Sequence, residues 1–594
     1  MIRSAAKPHL PTLLGLACLA WLMAGCPARQ VRPLAPARSA MPGVAGPAAL
    51  ELTFALQRGE RPAVRVSLEL AGSPTGSTGL RAAERWAGMS DLGDLFTDLR
   101  ASGPDGPLPI ERTAAYRWQL RHRPDARLRI EWTLRASNAV AVHHPSYYYR
   151  PIVEPDRFHL IGHAGLLVPE HLADGEAHVI AIHWEGFAEA GWRVACSHGL
   201  GQRRVLARRT MDELRHAVFL AGALRLQRRF IHESPLLIAL QGRWAFSDAA
   251  FVDLAAEIVA AERAFFDQAE ARPTLISAIS VGRRVPGRIA TGGTGLTDST
   301  ALFLSPGLDL RPGSRSRLRL ALLLAHELFH HWNGHVIQVA EPEELVYWFS
   351  EGFTDFYARR LLLRAGVIDV DRYAALVNDT SVRYSTNPRR NAPNRRIQRD
   401  FWRDEAVGEL PYQRGCLVAH LLDQRIRSRS QGRRSLDDLM RALAAHARRT
   451  GQRVDTPQLL ARFARATSAR FADRLRGIVV DGDSIDLPLD LYAPCLRGET
   501  RRIGEYQLGF DRQASLEARR VSGVVRGSAA WRAGLRDGQR LLGWSIHGGR
   551  PDKRVELKVQ VGEKRIPVSY YPQRDPRPVS WFTPDQRAAC RERL

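Results

Sequence analysis

The sequence predicts a multidomain α+β protein with an N-terminal antiparallel β domain, a mostly helical central domain and a small C-terminal β domain. Short alternation of apolar and polar residues over 50–200 predicts the first. Apolar spacings of three and four over 201–500 predict the second, and alternation returns over 501–575. The 594 residues are 45% hydrophobic and 25% charged, which is typical of globular domains and excludes a disordered or collagen-like chain.

Residues 1–26 predict an export signal, because a positively charged start precedes a short apolar stretch. The stretch ends in Leu22-Met23-Ala24-Gly25-Cys26, which resembles the lipobox of bacterial lipoproteins. This implies an acylated Cys26, a lipid bilayer as partner, and a place in the cell envelope, on the outer membrane facing the periplasm. An ordinary signal peptide with an incidental cysteine is the alternative. Residues 27–49 are rich in Pro, Ala and Arg and predict a flexible tether.

The net charge of +24 does not indicate a nucleic-acid partner. The basic residues are spread along the whole chain, whereas nucleic-acid surfaces concentrate charge in one patch or arm. Cys495 and Cys590 flank the C-terminal segment and could pair in an oxidising compartment, although spacing alone does not decide it.

Within the central domain, a glycine-rich strand is expected over 291–304, and 576–594 is expected to form a C-terminal tail. The β domain contains no catalytic constellation. Apolar spacing predicts helices over 251–270, 318–334, 343–365, 413–427 and 436–445.

The strongest chemical feature is an HExxH motif within an apolar helical run. Residues four apart share one helix face, so His326 and His330 can bind one ion. Glu327 lies beside them, where it can take a proton from the attacking water. The flanking residues 322–325 are apolar, so this helix is expected to be buried, and a metal explains three ionisable residues there.

A catalytic zinc site needs a third protein ligand. His335 follows His326 by nine residues, which does not fit the metzincin spacing. Glu351, on the next predicted helix, is the better candidate. Asp355 lies one turn further and is expected to accept a hydrogen bond from a ligand histidine. We therefore predict Zn²⁺ held by His326, His330 and Glu351.

The segments HELFHHWN and WFSEGFTDFY resemble motifs of the glycyl aminopeptidase family of gluzincin metallopeptidases, relatives of aminopeptidase N. The resemblance extends to LPYQRGCLV, where Tyr412 matches an oxyanion-stabilising tyrosine and Arg414 replaces the usual lysine. It implies a thermolysin-like catalytic domain, peptide or protein substrates, and Glu327 as general base. It is specific only around these three motifs. Capping of a helix start remains an alternative role for Tyr412.

The chain departs from this family in the glycine-rich strand. Relatives read roughly G-G-L-E-H-x-x-S-T, and the Glu helps hold the free α-amino group of the substrate. Here Thr297 stands at the Glu position and Asp298 at the His position, within the run Gly292-Gly293-Thr294-Gly295-Leu296-Thr297-Asp298-Ser299-Thr300. The glycines still allow strand pairing with a peptide. We expect weakened or altered aminopeptidase specificity, and aminopeptidase and endopeptidase both stay open.

Residues 501–575 resemble a PDZ domain. Leu508-Gly509-Phe510 is similar to its carboxylate-binding loop, and 524–542 is similar to the strand and helix that follow. A small β module that only packs on the catalytic domain is the alternative. Two other functions also stay open: a degenerate peptidase-like lipoprotein that binds peptides or proteins through this domain, and a surface lipoprotein that adheres through its β domain.

Overall fold

The structure is a computed structural model that describes residues 47–59, 62–135, 146–173, 175–268, 272–282, 290–585, 590–591 and 593–594. The predicted signal peptide, with Cys26, and nearly all of the predicted tether lie outside these residues. Among the described helices, none is long and apolar enough to cross a membrane.

The N-terminal part is a β region whose strands alternate buried and exposed side chains, as β1 and β8 do most clearly. Its strands are β1 Leu50–Gln57, β2 Ala63–Ala71, β3 Ser77–Arg81, β4 Thr97–Gly103, β5 Gly106–Leu108, β6 Ile110–Ala114, β7 Arg117–Arg121, β8 Arg127–Arg135, β9 Ile152–Glu154, β10 Arg157–Ile161, β11 Val168–Pro169, β12 His178–Glu185, β13 Arg193–Cys196, β14 Gly199–Leu200, β15 Arg204–Arg209 and β16 Val218–Gly222. The short helices α1 Ser146–Tyr149 and α2 Met211–Arg215 lie between them.

These strands form a seven-stranded sheet of order β15-β12-β1-β2-β8-β4-β5, a five-stranded sheet of order β14-β13-β16-β10-β9 and a four-stranded sheet of order β11-β3-β7-β6. Because β15 pairs with β12, and β16 pairs with β10 and β13, the β region runs to Gly222. The boundary expected at residue 200 is therefore too early. The two late strands are short and lie beside helical segments, so the change in periodicity did not mark them.

The central part of the chain, which holds the HExxH motif and is called the catalytic part below, begins with a five-stranded sheet of order β17-β18-β19-β21-β20. Its strands are β17 Arg225–Ile231, β18 Ser234–Gln241, β19 Thr274–Ser280, β20 Thr291–Leu296 and β21 Ser299–Leu304. Among the described strands, β20 lies at the edge of this sheet and pairs antiparallel with β21. The glycine-rich strand expected over 291–304 is thus a hairpin.

The helices of the catalytic part are α3 Asp248–Phe265, α4 Arg315–Phe329, α5 Tyr347–Ala365, α6 Val370–Thr386, α7 Asn394–Asp400, α8 Glu405–Gly408, α9 Leu410–Arg429, α10 Leu436–Thr450, α11 Thr456–Ala466 and α12 Ala469–Arg476. The five predicted helices correspond to α3, α4, α5, α9 and α10 to within about five residues, whereas α6, α7, α8, α11 and α12 were not predicted. The apolar faces of the helices share one large core with β17, β18, β19 and β21.

The last part contains β22 Leu496–Tyr506, α13 Arg512–Ala518, α14 Ala529–Arg532, β23 Arg540–Ser545, β24 Val555–Val561, β25 Lys564–Tyr570 and β26 Gln573–Pro584. β23, β24 and β25 form a small sheet, whereas β26 returns to pair with β22. The described residues of the segment expected to be a C-terminal tail are therefore packed on the protein. Phe582 and Leu594 are buried in the catalytic core, and Cys495 and Cys590 form a disulfide with a Cα–Cα distance of 5.5 Å.

The loop predicted to bind carboxylates follows β22 and precedes α13. Gly509 has φ +82°, and the carbonyls of Leu508 and Gly509 accept bonds from the Tyr570 hydroxyl and the Val525 N–H. Phe510 is buried in the module core. The chain then enters α13.

Candidate active site

The HExxH residues lie at the C-terminal end of α4, with His330 as the helix C-cap. Ser314 caps the start of this helix by accepting a bond from the Arg317 N–H. Leu320, Leu324, Ala325, Leu328 and Phe329 are buried, so the helix is fixed along its length. Of the apolar flank 322–325, Leu324 and Ala325 are buried and Leu322 and Leu323 are partly buried.

Two glycines bring α5 and α9 into backbone contact beside α4. A Cβ on Gly352 would lie 2.3 Å from the Gly415 Cα, and a Cβ on Gly415 would lie 1.8 Å from the Trp348 carbonyl oxygen. Only glycine allows this approach. Gly352 follows Glu351, and Gly415 lies three residues after Tyr412, so the contact brings both helices' functional residues to one place.

The three predicted metal ligands meet at one point. The His326 and His330 Nε2 atoms are 3.1 Å apart, and Glu351 Oε2 lies 3.2 Å from the first and 3.5 Å from the second. Tetrahedral zinc with bonds of 2.0–2.1 Å separates its ligands by about 3.3 Å. The donor set and spacing therefore fit zinc. Among the described residues, this is the one His/Cys/Asp/Glu group found with ligand atoms close enough for a metal.

Both histidines donate their outer N–H groups, which leaves Nε2 free to bind an ion. His326 Nδ1 lies 3.0 Å from Asp355 Oδ1, and His330 Nδ1 lies 3.0 Å from the Asn333 carbonyl oxygen. Asp355 is itself held by Arg359 at 2.8 Å. Such partners fix the ring orientation and strengthen the imidazole as a ligand. The structure thus places the Asp355 carboxylate beside the outer nitrogen of His326.

Charges are concentrated around this centre. Burial lowers the pKa of His326, but its bonds to Asp355 and Glu351 outweigh burial and raise that pKa well above its usual value. Burial raises the pKa of Glu351, but the neighbouring histidines outweigh burial and the pKa falls below its usual value. The Glu351 carboxylate is thus held ionised, the form in which it binds a metal.

Glu327 is buried beside the ligands, and its Oε2 accepts a 2.7 Å hydrogen bond from the Gly295 N–H. Burial raises its pKa, while the charges of His326 and His330 act in the opposite direction. A raised pKa brings a carboxylate closer to the value that suits a general base near neutral pH.

Tyr412 lies at the site, since its ring centroid is 6.0 Å from that of His326. Burial and the charges of Glu351 and Glu327 raise its pKa well above the usual value, so the hydroxyl stays protonated and can donate. Glu409 is the N-cap of α9, so Tyr412 does not occupy the cap position. Arg414 is buried and donates to the carbonyls of residues 390 and 392, which is a structural role.

The glycine-rich strand lies directly on α4. A Cβ on Gly293 would lie 3.0 Å from Glu327 Cγ, and one on Gly295 would lie 2.8 Å from His330 Cβ. Gly292 has open space at the same position, and Thr294 pairs with Ala301 of β21.

Thr297 and Asp298 form the turn between β20 and β21 rather than part of a strand. Asp298 has φ +54°, and its carboxylate lies 3.3 Å from Arg272 and 3.7 Å from Arg209. The Thr297 hydroxyl lies 3.5 Å from His335 Nδ1. The Asp298 carboxylate is therefore already paired with cations of this chain.

Sequence reasoning missed three residues that shape the site. Asn333 is buried, and its amide donates to the carbonyls of Phe349 and Ser350, which fixes the start of α5 next to Glu351. Arg359 orients Asp355, and its position one helical turn later could have revealed it. Tyr149 reaches the site from the β region, and its hydroxyl donates to the Gly293 carbonyl at 2.9 Å. It belongs to the run Tyr147-Tyr148-Tyr149, which the sequence alone indicates as packed aromatic residues rather than as a site.

Two imidazoles and a carboxylate around one position, with a second carboxylate beside them, define the HExxH class of metallohydrolases. A zinc ion bound there supplies positive charge that polarises a carbonyl and lowers the pKa of water.

Comparison with known proteins finds similarity to peptidases of this class. Residues 319–403, which contain the HExxH motif and Glu351, match the model of the M61 glycyl aminopeptidase family. An aminopeptidase N family protein from Idiomarina loihiensis has a similar structure, with a TM-score of 0.66 and 17% identity, over 90% of this chain and 98% of that one. An M1 zinc metallopeptidase from Deinococcus radiodurans aligns with a TM-score of 0.48 and 16% identity, over 74% of this chain and 94% of that one. No curated protein sequence matches this chain.

The M61 match and the metal-ligand geometry support zinc-dependent peptide hydrolysis, and the chain is a zinc metallopeptidase. The Idiomarina structure supports the mixed α+β multidomain fold.

Proposed function

We propose that this metallopeptidase hydrolyses peptides with little dependence on a free α-amino group. The observation that carries the proposal is the turn after β20. Asp298 is paired with Arg272 and Arg209, and Thr297 has no charge. An ammonium group needs a carboxylate partner to be held strongly, and this turn offers none that is unpaired.

The residues at the centre divide the reaction between them. Glu327 takes a proton from the attacking water and passes it to the leaving amine. Tyr412 donates its hydroxyl hydrogen to the oxyanion that forms on the substrate. His326, His330 and Glu351 hold the ion, and Asp355 keeps the first histidine oriented.

Matched peptides with free and acetylated N-termini test the specificity, with products identified by mass spectrometry. We expect kcat/KM to differ less than about tenfold between the two forms, since one exposed charge pair is worth about 1 kcal/mol or less. Thr297→Glu would place a carboxylate at the family position and should increase the preference for free amines. Efficient release of single N-terminal residues that acetylation abolishes would contradict the proposal.

We also propose that Cys26 anchors the chain to the outer membrane and that the 501–575 module is PDZ-like. The lipobox-like sequence supports the first idea, and incorporation of labelled palmitate that Cys26→Ser abolishes would test it. The glycine-centred loop at 508–510 supports the second. Binding of free but not amidated peptide C-termini would test it, and binding without cleavage or zinc would favour the degenerate-peptidase alternative.

A further inference from the structure

Among the described strands, β20 is the edge strand of its sheet, and its glycines lie against Glu327 and His330. In an antiparallel pair, the N–H and C=O groups of alternate residues face away from the partner strand. The Gly295 N–H bonds to Glu327 and so does not bond to β21, which shows that Gly295 faces outward. Gly293 lies two residues earlier in a pairing without register shifts, and therefore faces outward as well.

Three of the four outward groups on these glycines are already bonded to side chains. The Gly293 carbonyl accepts from the Tyr149 hydroxyl at 2.9 Å. The Gly295 N–H donates to Glu327 at 2.7 Å, and the Gly295 carbonyl accepts from His335 Nε2 at 3.3 Å. Among the described residues, no acceptor is recorded for the Gly293 N–H, which leaves it for a substrate.

Tyr149 is held firmly in this position. Its ring packs edge-on against Trp86, with centroids 5.2 Å apart, and against Phe303 of β21, with centroids 5.7 Å apart. Phe303 also pairs through its backbone with Gly292 of β20. The tyrosine and the strand that it contacts are therefore fixed to the same residue, so a substrate N–H cannot displace the hydroxyl without breaking aromatic contacts.

We propose that Tyr149 is a specificity-determining residue whose hydroxyl occupies the Gly293 carbonyl by a hydrogen bond. A peptide can then make one main-chain hydrogen bond at Gly293 instead of two. The bond that remains is donated by the Gly293 N–H to a substrate carbonyl. This proposal rests on the peptidase function. It adds that the β region, and not only the catalytic part, determines how tightly a peptide main chain is held.

The test compares Tyr149→Phe with the wild-type, zinc-loaded full chain on one peptide and on analogues N-methylated at each amide in turn. The variant frees the Gly293 carbonyl, and a net hydrogen bond is worth about 0.5–1.5 kcal/mol. We expect KM for the parent peptide to fall about two- to tenfold, with kcat unchanged. The fall in KM should vanish for one analogue, the one in which methylation removes the amide N–H that would donate to the Gly293 carbonyl. Comparing both enzymes on each analogue cancels the steric effect of the methyl group.

Tyr148→Phe is the matched control, because Tyr148 lies on the same helix and its ring stacks on the same Phe303 at 5.3 Å. It should leave the KM pattern unchanged. An unchanged or raised KM in Tyr149→Phe, or equal effects on every analogue, would overturn the proposal. A fall in kcat with unchanged zinc content would instead assign Tyr149 to supporting the strand, and also overturns it. If the wild-type chain cleaves no peptide, the proposed function fails, which is a different result.

Discussion

Removal of the buried His159 imidazole should make the protein less sensitive to acid. His159 lies on β10, is 1% exposed, and its ring packs edge-on against Phe303 at 5.4 Å. Neither of its ring nitrogens has a partner among the described residues. Burial therefore lowers its pKa from 6.5 to about 3.

The sign and size of the effect follow from this shift. Between pH 6.5 and about 3 the unfolded chain binds a proton that the folded chain does not, so stability is present above this window and is lost as pH falls. At pH 5 the solution is about 1.5 pH units below the pKa of 6.5 that the imidazole has in the unfolded chain. At about 1.4 kcal/mol per unit, the free energy of unfolding falls by about 2 kcal/mol.

Urea unfolding of wild type and His159→Leu at pH 8 and pH 5 measures the effect, because leucine fills a similar volume without titrating. On going from pH 8 to pH 5, we expect the free energy of unfolding of the wild type to fall by about 2 kcal/mol relative to that of the variant. His547→Gln, an exposed site in the C-terminal module, is the control and should shift nothing. A His159→Leu difference that is the same at both pH values would refute the reasoning.

Three further predictions concern the catalytic centre. Glu351→Ala should lose zinc and activity, whereas Glu327→Gln should keep zinc and lose turnover. Metal analysis together with a peptide assay distinguishes a zinc ligand from a general base. Zinc retention in Glu351→Ala would contradict the ligand assignment. Tyr412→Phe should lower kcat about a hundredfold at unchanged zinc content, and an unchanged rate would remove the oxyanion role. Gly415→Ala should destabilise the protein by about 2 kcal/mol and lower activity, because the added Cβ would lie 1.8 Å from the Trp348 carbonyl oxygen. At an ordinary helix position the same substitution would stabilise the protein by about 1 kcal/mol. Thermal denaturation therefore gives changes of opposite sign in the two cases.

The sequence predicted the parts of the site that depend on helical geometry. His326, Glu327 and His330 are fixed relative to one another by one turn of α4, so spacing alone placed them together. Glu351 and Asp355 are one turn apart on α5, and their relation to each other was also readable. The approach of α5 to α4 was inferred from the need for a third zinc ligand, since no local pattern determines how two helices pack.

The parts that were missed depend on contacts between distant segments or on turn geometry. Asp298 was expected on a strand, but the hairpin turn gives it a positive φ and directs it to Arg272. A helix follows the predicted carboxylate loop because Asp511 caps α13 by accepting from the Ala514 N–H. A single Asp in a loop does not reveal that a helix begins there, so α13 was not among the predicted elements.

The β region shapes the active site through one aromatic residue. Phe303 of β21 contacts Tyr148, Tyr149 and His159, all of which belong to the β region. The same residue pairs through its backbone with Gly292, so these contacts set the position of β20. Three of the six residues of β20 are glycine, and the backbone freedom of glycine makes the extended strand intrinsically less stable. Packing from outside the catalytic part supplies that order. The 2.7 Å bond from Gly295 to Glu327 therefore depends on a domain that contributes no metal ligand.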